Sequence, residues 1–388
     1  MKKICVYLNF SSSEGGIYQY SISILDALFL SDFEVNVLCE KEYWGDTLKK
    51  YKNKFRIIPI KNSSFVNKLS RILLFSKLNL FLTKKITKLF NPNFKIFKEL
   101  NSDLWIFPYP DPISYQLDIP YIISIHDLMH IYEPDFAELS GFLRVYFRNQ
   151  RFKRISYHAK AILVDSKLGK KQLIESYNIN PEKIYPLPFV PPNYKKNKIC
   201  NLNKKYKQLN LPKKYFFYPA KFWSHKNHLN LLSSLKIAIN NHPDMHLVLT
   251  GNKNHNYENI KKEIYNLNLF HAVTVLGEID LGLIPYIYKN ATALIMPTFI
   301  GPTNIPPLEA IIYGCPMAVS NIYAMPDQLK NSSLYFNPKS IHEISHKMCQ
   351  LWSSEELRTN LINEGGKLKK EFSISAHKKR LELVIKSL

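Results

Sequence analysis

The chain has 388 residues, of which 46% are hydrophobic, and its 53 Lys and Arg against 31 Asp and Glu give a net charge of +22. The hydrophobic content excludes an intrinsically disordered chain, and 12 Gly and 23 Pro without a fixed period exclude collagen-like and repeat architectures. The length indicates two domains, and the charge excess predicts a polyanionic partner: nucleic acid, an anionic membrane or a phosphorylated small molecule.

The cysteines and the start of the chain indicate a reducing compartment. The five cysteines are odd in number and widely spaced, without a CxxC pair or a Cys/His cluster, so we expect reduced thiols. The first apolar run is short and Glu14 soon follows, which predicts a strand rather than a signal sequence. No 18 consecutive residues are apolar, so no membrane span is predicted. We therefore expect a cytoplasmic protein that touches a membrane, if at all, at its surface.

Short apolar runs alternate with helical patterns through the first half of the chain. Residues 4–10 are predicted to form a buried strand, followed by a Ser/Gly loop and a helix at 17–29 with apolar residues at three- and four-residue spacing. The other predicted strands are 35–39, 55–60, 104–108, 121–127 and 161–166, and the last precedes a helix at 168–177. Strands separated by helices or long crossovers predict a parallel, doubly wound α/β sheet.

A Pro-, Lys- and Asn-rich stretch divides the chain, and we place the interdomain linker at 191–213. After it the alternation restarts, with predicted strands at 215–220, 246–252, 273–277, 293–298 and 316–320 and predicted helices at 228–239, near 257–268, near 280–290 and at 308–314. We predict one Rossmann-like domain over 1–190, a second over 214–372 and a final helix at 373–388. Open α/β sheets bind ligands beyond the carboxyl ends of their strands, so the active site is expected between the two domains.

Positive charge is concentrated in residues 61–98, which contain nine Lys and Arg and no acidic residue. Apolar residues recur there at helical spacing, which predicts a basic amphipathic helix for an anionic membrane surface. The apolar face is Leu69, Ile72, Leu73, Leu78, Leu82, Ile86 and Leu89, and the candidate membrane or acceptor surface is Lys68, Arg71, Lys77, Lys84, Lys85 and Lys88. A second basic cluster follows at 144–154. The alternative is a solvated helix pair that covers the sheet. No basic and aromatic recognition element is found, so nucleic acid is not an expected partner.

Two histidine pairs could suggest a metal site. His225 and His228 lie three residues apart, and His126 and His130 flank an aspartate. Neither pair has an evident third ligand, and no D-x-D motif occurs, so we expect neither a metal nor a metal-held diphosphate.

The segment 293–336 is the most informative for chemistry. A predicted strand ends at Pro297, a loop of Gly, Pro and Asn runs to Pro307, and a helix follows with Glu309 in its first turn. The free amides at such a helix start suit a diphosphate, and a carboxylate there can accept hydrogen bonds from ribose hydroxyls. The alternative is a glutamate that only stabilises the helix dipole.

This segment resembles the donor-site signature of retaining GT-B glycosyltransferases, in particular glycosyltransferase family 4, the group 1 glycosyltransferases. The matching residues are GPTNIPPLEA at 301–310, GCPM at 314–317 and SSLYFNP at 332–338, and YPAKFWSHKNHLNLL at 218–232 extends the match. The resemblance implies a nucleotide-diphosphate sugar bound by the second domain and no metal cofactor. It also implies a glycan acceptor, often lipid-linked, at the first domain, as in O-antigen or capsule synthesis at the inner face of the cytoplasmic membrane.

The resemblance also assigns roles to single residues. The implied catalytic residues are His126, Lys226 and Glu309. Glu309 is implied to contact the ribose, and the Lys226 ammonium group to contact the leaving phosphate. The implied donor-binding residues are Gly15, Gly16, Lys221, Lys226, Gly251, Asn252, Asn304, Ile305, Pro306 and Glu309. Lys221 stands where the family usually has Arg, so the positive charge is kept and the bidentate fork is lost.

One position departs from the family pattern. The family pairs two glutamates eight positions apart, and Gly301 stands at the position of the first, which commonly contacts the donor sugar. Asn304 or the main-chain amides of 302–305 are the hypothetical replacements. The departure keeps two alternatives open: a weakly active or inactive homologue that binds sugar nucleotides or glycans, and another GT-B enzyme such as a sugar-nucleotide epimerase.

Overall fold

The computed structural model describes residues 1–10, 15–60, 64–75, 79–136, 139–192, 194 and 202–388. These residues divide into two compact units. The first unit comprises Met1–Tyr132, Leu139–Val190 and Ser373–Leu388, and the second comprises Glu133–Glu138 and Pro191–Phe372.

The first unit contains a seven-stranded parallel sheet. Its strands are β1 (Lys3–Leu8), β2 (Glu34–Cys39), β3 (Arg56–Pro59), β4 (Leu104–Phe107), β5 (Tyr121–Ser124), β6 (Ala161–Val164) and β7 (Ile184–Pro186). Their order is β3-β2-β1-β4-β5-β6-β7, so the direction in which strands are added reverses between β1 and β4. Every pairing is parallel, as expected where helices or long crossovers join the strands. The six strands predicted for this half are all present.

The second unit contains a six-stranded parallel sheet. Its strands are β8 (Phe216–Pro219), β9 (Leu247–Thr250), β10 (Val273–Gly277), β11 (Ala293–Met296), β12 (Met317–Ser320) and β13 (Leu334–Phe336). The order is β10-β9-β8-β11-β12-β13, with the same kind of reversal between β8 and β11. All four residues of β9, β11 and β12 are buried, because a strand between parallel neighbours is covered on both faces and is therefore apolar throughout.

The helices follow the predicted alternation. Those up to residue 177 are α1 (Gly16–Phe29), α2 (Lys41–Leu48), α3 (Ser64–Phe75), α4 (Leu80–Phe90), α5 (Phe94–Glu99), α6 (Ile113–Gln116), α7 (Met129–Tyr132), α8 (Phe142–His158) and α9 (Lys167–Tyr177). The later ones are α10 (Leu202–Gln208), α11 (His228–Ala238), α12 (Tyr257–Asn266), α13 (Ile284–Asn290), α14 (Ile305–Tyr313), α15 (Met325–Leu329), α16 (Ile341–Ser353), α17 (Glu355–Leu368) and α18 (Ile374–Ser387). Among the described residues, none of these helices is both long enough and apolar enough to cross a membrane.

The last helix, α18, belongs to the first unit, where it packs against α1. Lys2 donates a hydrogen bond from Nζ to the carbonyl oxygen of Ile385 at 2.9 Å. His377 donates from Nδ1 to the carbonyl oxygen of Pro188 at 3.1 Å, and its ring lies edge-on to Tyr20. The end of the chain is thereby fixed to the β1–α1 region.

Two segments differ from the sequence-based division. Residues 133–138 fall in the second unit, where the Tyr323 hydroxyl donates to the Glu133 carboxylate and the Phe136 ring stacks on Phe299. The described part of 191–213, where we place the interdomain linker, also belongs to the second unit. It contains α10, and Lys205 pairs there with Asp280 at 3.5 Å.

Candidate functional site

The predicted donor residues lie around the strand reversal of the second sheet. The loop after β8 carries Lys221 and Lys226, and the loop after β11 carries Gly301 and Asn304. Because β8 and β11 are neighbours, these loops leave the same edge of the sheet side by side. In doubly wound sheets this reversal is where the crevice for a ligand forms.

Hydrogen bonds join the two loops. The Thr298 hydroxyl and the Phe299 amide both donate to the carbonyl oxygen of His225, at 3.1 and 2.8 Å. Buried Asn227 donates from Nδ2 to the carbonyl oxygens of Pro297 and Pro338, each at 2.8 Å. Asn227 has φ 60°, a conformation that asparagine tolerates better than most residues. Sequence reasoning missed this bridging role, although an Asn directly before a helix is a recognisable signal.

The side chain of Lys226 reaches the start of α14. Its Nζ lies 3.4 Å from Oδ1 of Asn304, the residue that precedes the helix. Its carbonyl oxygen accepts from the buried Tyr218 hydroxyl at 2.9 Å, which fixes the turn that carries it. Lys221, at the other end of the same loop, is half-buried. The structure thus brings Lys226 and Asn304 together.

Helix α14 begins earlier than the sequence indicates, which changes the backbone donors available at the predicted anion site. It starts at Ile305, so Glu309 is in its second turn and not in its first. Pro306 and Pro307 occupy the first turn because proline needs no N–H there and its φ suits a helix. The same prolines remove two of the donors expected for a diphosphate. The amides of Asn304 and Ile305 remain, and the Asn304 side chain bonds to Lys226 instead of capping the helix.

Gly301 is a glycine for a steric reason. Its φ is +121°, which L side chains rarely adopt, and a Cβ built there would lie 2.8 Å from Nδ2 of Asn304. Asn304 is itself buried. Any side chain at 301, a glutamate included, would therefore have to displace the Asn304 side chain.

Glu309 is buried, and both of its carboxylate oxygens are hydrogen-bonded. Oε1 accepts from the Tyr194 hydroxyl at 2.7 Å and Oε2 from the Tyr288 hydroxyl at 2.9 Å. Burial raises the pKa of Glu309, and the two phenol hydrogen bonds act against that rise. Each carboxylate oxygen keeps a second lone pair, and the residue is 4% exposed. Neither tyrosine was identified from the sequence, since each is distant from Glu309 along the chain.

The loop after β9 approaches the loop after β8 through backbone alone. A Cβ on Gly251 would lie 2.2 Å from the carbonyl oxygen of Ala220, and its φ is +152°. The Gly251 amide donates to the carbonyl oxygen of Gly277 at 2.9 Å, and Asn252 accepts from the Phe222 amide at 3.3 Å. Only glycine fits at 251, which agrees with the close backbone approach that the sequence suggested there.

The remaining predicted residues belong to the first unit. Gly15, with φ 58°, precedes α1, Gly16 is its first residue, and residues 11–14 lie outside the described ones. The partly buried His126 follows β5 and donates from Nε2 to the carbonyl oxygen of Pro108 at 2.9 Å. Burial lowers the pKa of His126, so its ring is neutral near pH 7. Asp127 accepts from Arg148 at 2.9 Å and from the Met129 amide at 3.1 Å, which suits a loop-orienting role.

In each of the two histidine pairs, one histidine is buried among protein groups. His130 donates from Nε2 to Asn149 Oδ1 at 2.9 Å, and its pKa is lowered to about 4, mainly by burial. His228 is fully buried between Tyr218 and Phe222, and neither ring nitrogen has a hydrogen-bond partner. In the described part of the chain, no three His, Cys, Asp or Glu side chains come together as metal ligands would.

His228→Leu is expected to raise the melting temperature at pH 5 and to flatten its pH dependence. Burial lowers the pKa of His228 to about 3, so the unfolded chain binds a proton there between about pH 6.5 and 3 that the folded chain does not. Stability is therefore lost as the pH falls through this window. Thermal unfolding from pH 7.5 to 4.5 tests this. The same fall in melting temperature for both proteins would contradict it.

The basic segment forms α3, α4 and α5 rather than one long helix. Lys84 and Lys88 both pair with Asp118, at 2.6 and 3.5 Å, whereas Lys68 and Lys85 are exposed. The side chain of Arg71 and the whole of Lys77 lie outside the described residues. In the second basic cluster, Arg148 pairs with Asp127 and Arg151 lies over the Tyr109 ring. Several of the predicted surface cations are thus bound within the unit.

Helix α4 is inverted relative to an ordinary surface helix. Thr83 and Thr87 face the interior and are buried, whereas Phe81 and Leu89 are 74% and 76% exposed. A buried polar network accounts for this, since Thr87 donates to Gln116 at 3.3 Å. Further exposed apolar side chains of α3, α4 and α8 include Phe65, Ile72, Leu82, Phe90, Phe142, Leu143, Tyr146 and Phe147. Of the predicted apolar face, Leu73 is buried and Ile72, Leu82 and Leu89 point outward. We name Phe81, Leu89 and these eight residues the apolar surface.

Known proteins resemble this chain in sequence and in fold. Residues 201–368 match the family described as glycosyl transferases group 1. Over 217 residues the chain is 28% identical to the O-antigen chain mannosyltransferase RfbU of Salmonella typhimurium, and the match covers 56% of each protein. The chain therefore spans about half the length of that relative.

Two solved structures show the same fold. Sucrose-phosphate synthase from Thermosynechococcus elongatus has a TM-score of 0.76 at 16% identity, over 100% of this chain and 99% of that chain. Anabaena Alr3699/HepE, solved in complex with UDP and glucose, has a TM-score of 0.73 at 13% identity, over 100% of both chains. The GT-B fold expected from the sequence is confirmed. The stretch that matches the family model, residues 201–368, forms most of the second unit.

Proposed function

We propose that the protein is a glycosyltransferase that moves a sugar from a nucleotide-diphosphate sugar to a glycan acceptor. The observation that carries this proposal is the Lys226 ammonium group beside Asn304, at the start of α14 and at the strand reversal of the second sheet. A fixed cation, two backbone amides and a helix start together suit a diphosphate.

The chemistry follows from where charge develops. As the bond between the anomeric carbon and the diphosphate oxygen breaks, negative charge grows on the leaving oxygen, and Lys226 stabilises that state more than the bound substrate. Because lysines and amides supply the positive charge, we propose transfer without a divalent metal. Activity is then expected to persist in excess EDTA.

We further propose that the configuration of the anomeric carbon is retained. The acceptor oxygen would bond to that carbon on the face that the diphosphate leaves, and the acceptor proton would pass to a leaving phosphate oxygen. No side-chain nucleophile is then required, which is consistent with glycine at 301. The anomeric configuration of the product, read by NMR, tests this.

The donor test is a panel of nucleotide sugars. The relative RfbU is named a mannosyltransferase of the O-antigen chain, so a mannosyl donor is the first candidate and a surface polysaccharide the proposed product. We would measure thermal unfolding with GDP-mannose, UDP-glucose, UDP-galactose and UDP-N-acetylglucosamine. A donor at 100 times its Kd stabilises the fold by about 2.7 kcal/mol. No shift with any of them, and no transfer, would contradict the proposal.

We propose that the apolar surface docks on the anionic inner face of the cytoplasmic membrane. The enzyme would reach a lipid-linked acceptor there. Exposed apolar patches of this kind are rare on monomeric proteins and mark interaction sites. Exposed Lys68 and Lys85 on the same helices, and a net charge of +22, complement anionic headgroups.

The membrane proposal predicts that Phe81→Glu/Leu89→Glu lowers binding to phosphatidylglycerol vesicles at least tenfold. Phosphatidylcholine vesicles should bind the wild type weakly, and salt should weaken the anionic binding. Tyr265→Glu, at an equally exposed position of the second unit, is the matched control. Equal sedimentation of the wild type with both lipids, or undiminished binding of the double variant, would contradict the proposal.

A further inference from the structure

A pocket of about 750 Å³ opens in the second unit, and neither Lys226 nor Asn304 is among the described residues that line it. Its walls come from the segments that follow β12 and β13, together with residues 133–136 and Phe299. Phe299 belongs to the loop after β11, and its amide donates to the carbonyl oxygen of His225, so the pocket adjoins the loops that carry Lys226 and Asn304. Its volume is within the range of about 300–1,000 Å³ that small-molecule sites have.

The pocket has the wrong charge for a phosphate. Glu133, Asp135 and Glu343 line it, and Lys339 is its one lysine among the described lining residues. In a chain of net charge +22, this makes the pocket a locally acidic depression. The donor diphosphate is therefore excluded from it, and so are anionic lipid headgroups.

The other lining groups suit a sugar ring. Phe136 and Phe299 stack at 5.8 Å between ring centroids, and Tyr323 and Tyr335 add two more aromatic walls. A pyranose presents a face of C–H groups and a rim of hydroxyls. Aromatic rings cover such a face, and carboxylates and amide oxygens accept from the hydroxyls. The pocket offers both kinds of group together.

The pocket is also held in shape. Tyr323 has φ 49°, which is unusual for an aromatic residue, and its hydroxyl donates to Glu133. Strained backbone of this kind is concentrated at ligand sites. On the opposite wall, Glu343 Oε2 accepts from the Asn337 amide at 2.8 Å, and the carbonyl oxygen of Pro338 accepts from Asn227.

We propose that this pocket binds an uncharged sugar residue of the acceptor glycan. The assignment of that sugar to an acceptor rests on the proposed transferase function, whereas sugar binding in the pocket can be measured without transfer. The protein would then bind its two substrates with groups of opposite charge. Lysine and backbone amides would bind the donor diphosphate, and carboxylates with aromatic rings would bind the acceptor glycan.

Saturation-transfer NMR on the full chain tests the pocket. The probes are methyl α-D-mannopyranoside, methyl β-D-galactopyranoside, methyl α-L-rhamnopyranoside and N-acetylglucosamine, with methyl β-D-glucuronide as the charged comparison. At least one neutral probe is expected to bind, and the glucuronide to bind more weakly. In Phe136→Ala and Asp135→Asn, the Kd of that probe should rise at least tenfold.

Matched controls separate the pocket from general effects. The control variants Tyr265→Ala and Glu258→Gln change exposed residues of the second unit. Both variants should bind the probe as the wild type does. Nucleotide-sugar binding should be unchanged in all four variants. No binding of any probe to the wild type, or unchanged binding in both pocket variants, would overturn the proposal. If the wild type bound no nucleotide sugar, the proposed function would be overturned instead.

Discussion

Lys226→Ala is expected to lower kcat for sugar transfer about a hundredfold or more, since a cation placed at developing phosphate charge contributes about 3 kcal/mol. The ammonium group lies 3.4 Å from Asn304 Oδ1 at the start of α14. Because the charge on the leaving group grows during the reaction, the loss should fall on kcat more than on the KM of the donor.

Two further variants define this effect. Lys226→Arg keeps the positive charge and is expected to retain most of the activity. Lys262→Ala removes an exposed lysine from α12 and should leave kcat unchanged. Wild-type turnover in Lys226→Ala, measured as nucleoside diphosphate release with acceptor present, would contradict the assigned role.

Glu309→Gln is expected to lower kcat/KM about a hundredfold, because the neutral amide can no longer accept two charge-assisted hydrogen bonds from ribose. Glutamine keeps the shape: its Oε1 can accept from one tyrosine hydroxyl, and its Nε2 can donate to the oxygen of the other. Alanine would remove the acceptor of the Tyr194 hydroxyl, at a cost of about 1–3 kcal/mol, and would leave Tyr288 only the carbonyl oxygen of Pro306, so effects on binding and on stability could not be separated. Melting temperatures within a few degrees of the wild type should confirm that Glu309→Gln is folded.

The pH profile separates a ligand-binding Glu309 from a structural one. Burial raises the pKa of Glu309, so the charged form is lost on acidification at a higher pH than for an exposed glutamate. The KM of the donor should therefore rise as the pH falls through that pKa, and this rise should be absent in Glu309→Gln. A KM of Glu309→Gln that equals the wild-type value at every pH would mean that Glu309 only holds Tyr194 and Tyr288.

The fold could be predicted from the sequence because its signals are local. Buried parallel strands are apolar runs, and β1, β8 and β11 each stand out for that reason. The bounds were less predictable. The helix after Pro297 was expected at 308, and it starts at Ile305, because prolines that interrupt most structures are compatible with a first helical turn.

The sequence indicated which residues of the loops after β8 and β11 form the candidate site, but not which contacts they make. Short motifs indicated Lys226, Asn304 and Glu309, and the structure joins the first two directly. No local pattern could show that Tyr194 and Tyr288 would enclose the Glu309 carboxylate. Likewise, the sequence showed Gly301 as a missing glutamate, and only the backbone φ of +121° shows why a side chain does not fit.

Features that depend on tertiary context were beyond the sequence. The spacing of apolar residues in 61–98 predicts a helix face, but not that α4 turns Thr83 and Thr87 inward and Phe81 and Leu89 outward. That orientation follows from a buried polar partner, Gln116, on α6. The acidic pocket also depends on tertiary context, because residues 133–136 are distant in sequence from the rest of the second unit to which they belong.

The most direct test of the account is a crystal structure of the protein soaked with GDP and, separately, UDP. The central claim is that lysine and backbone amides at the strand reversal of the second sheet hold the diphosphate. We predict phosphate oxygens within hydrogen-bond distance of Lys226 Nζ and the amides of Asn304 and Ile305, with ribose hydroxyls on Glu309. A diphosphate bound elsewhere, with no phosphate oxygen within hydrogen-bond distance of Lys226 Nζ, would contradict the account.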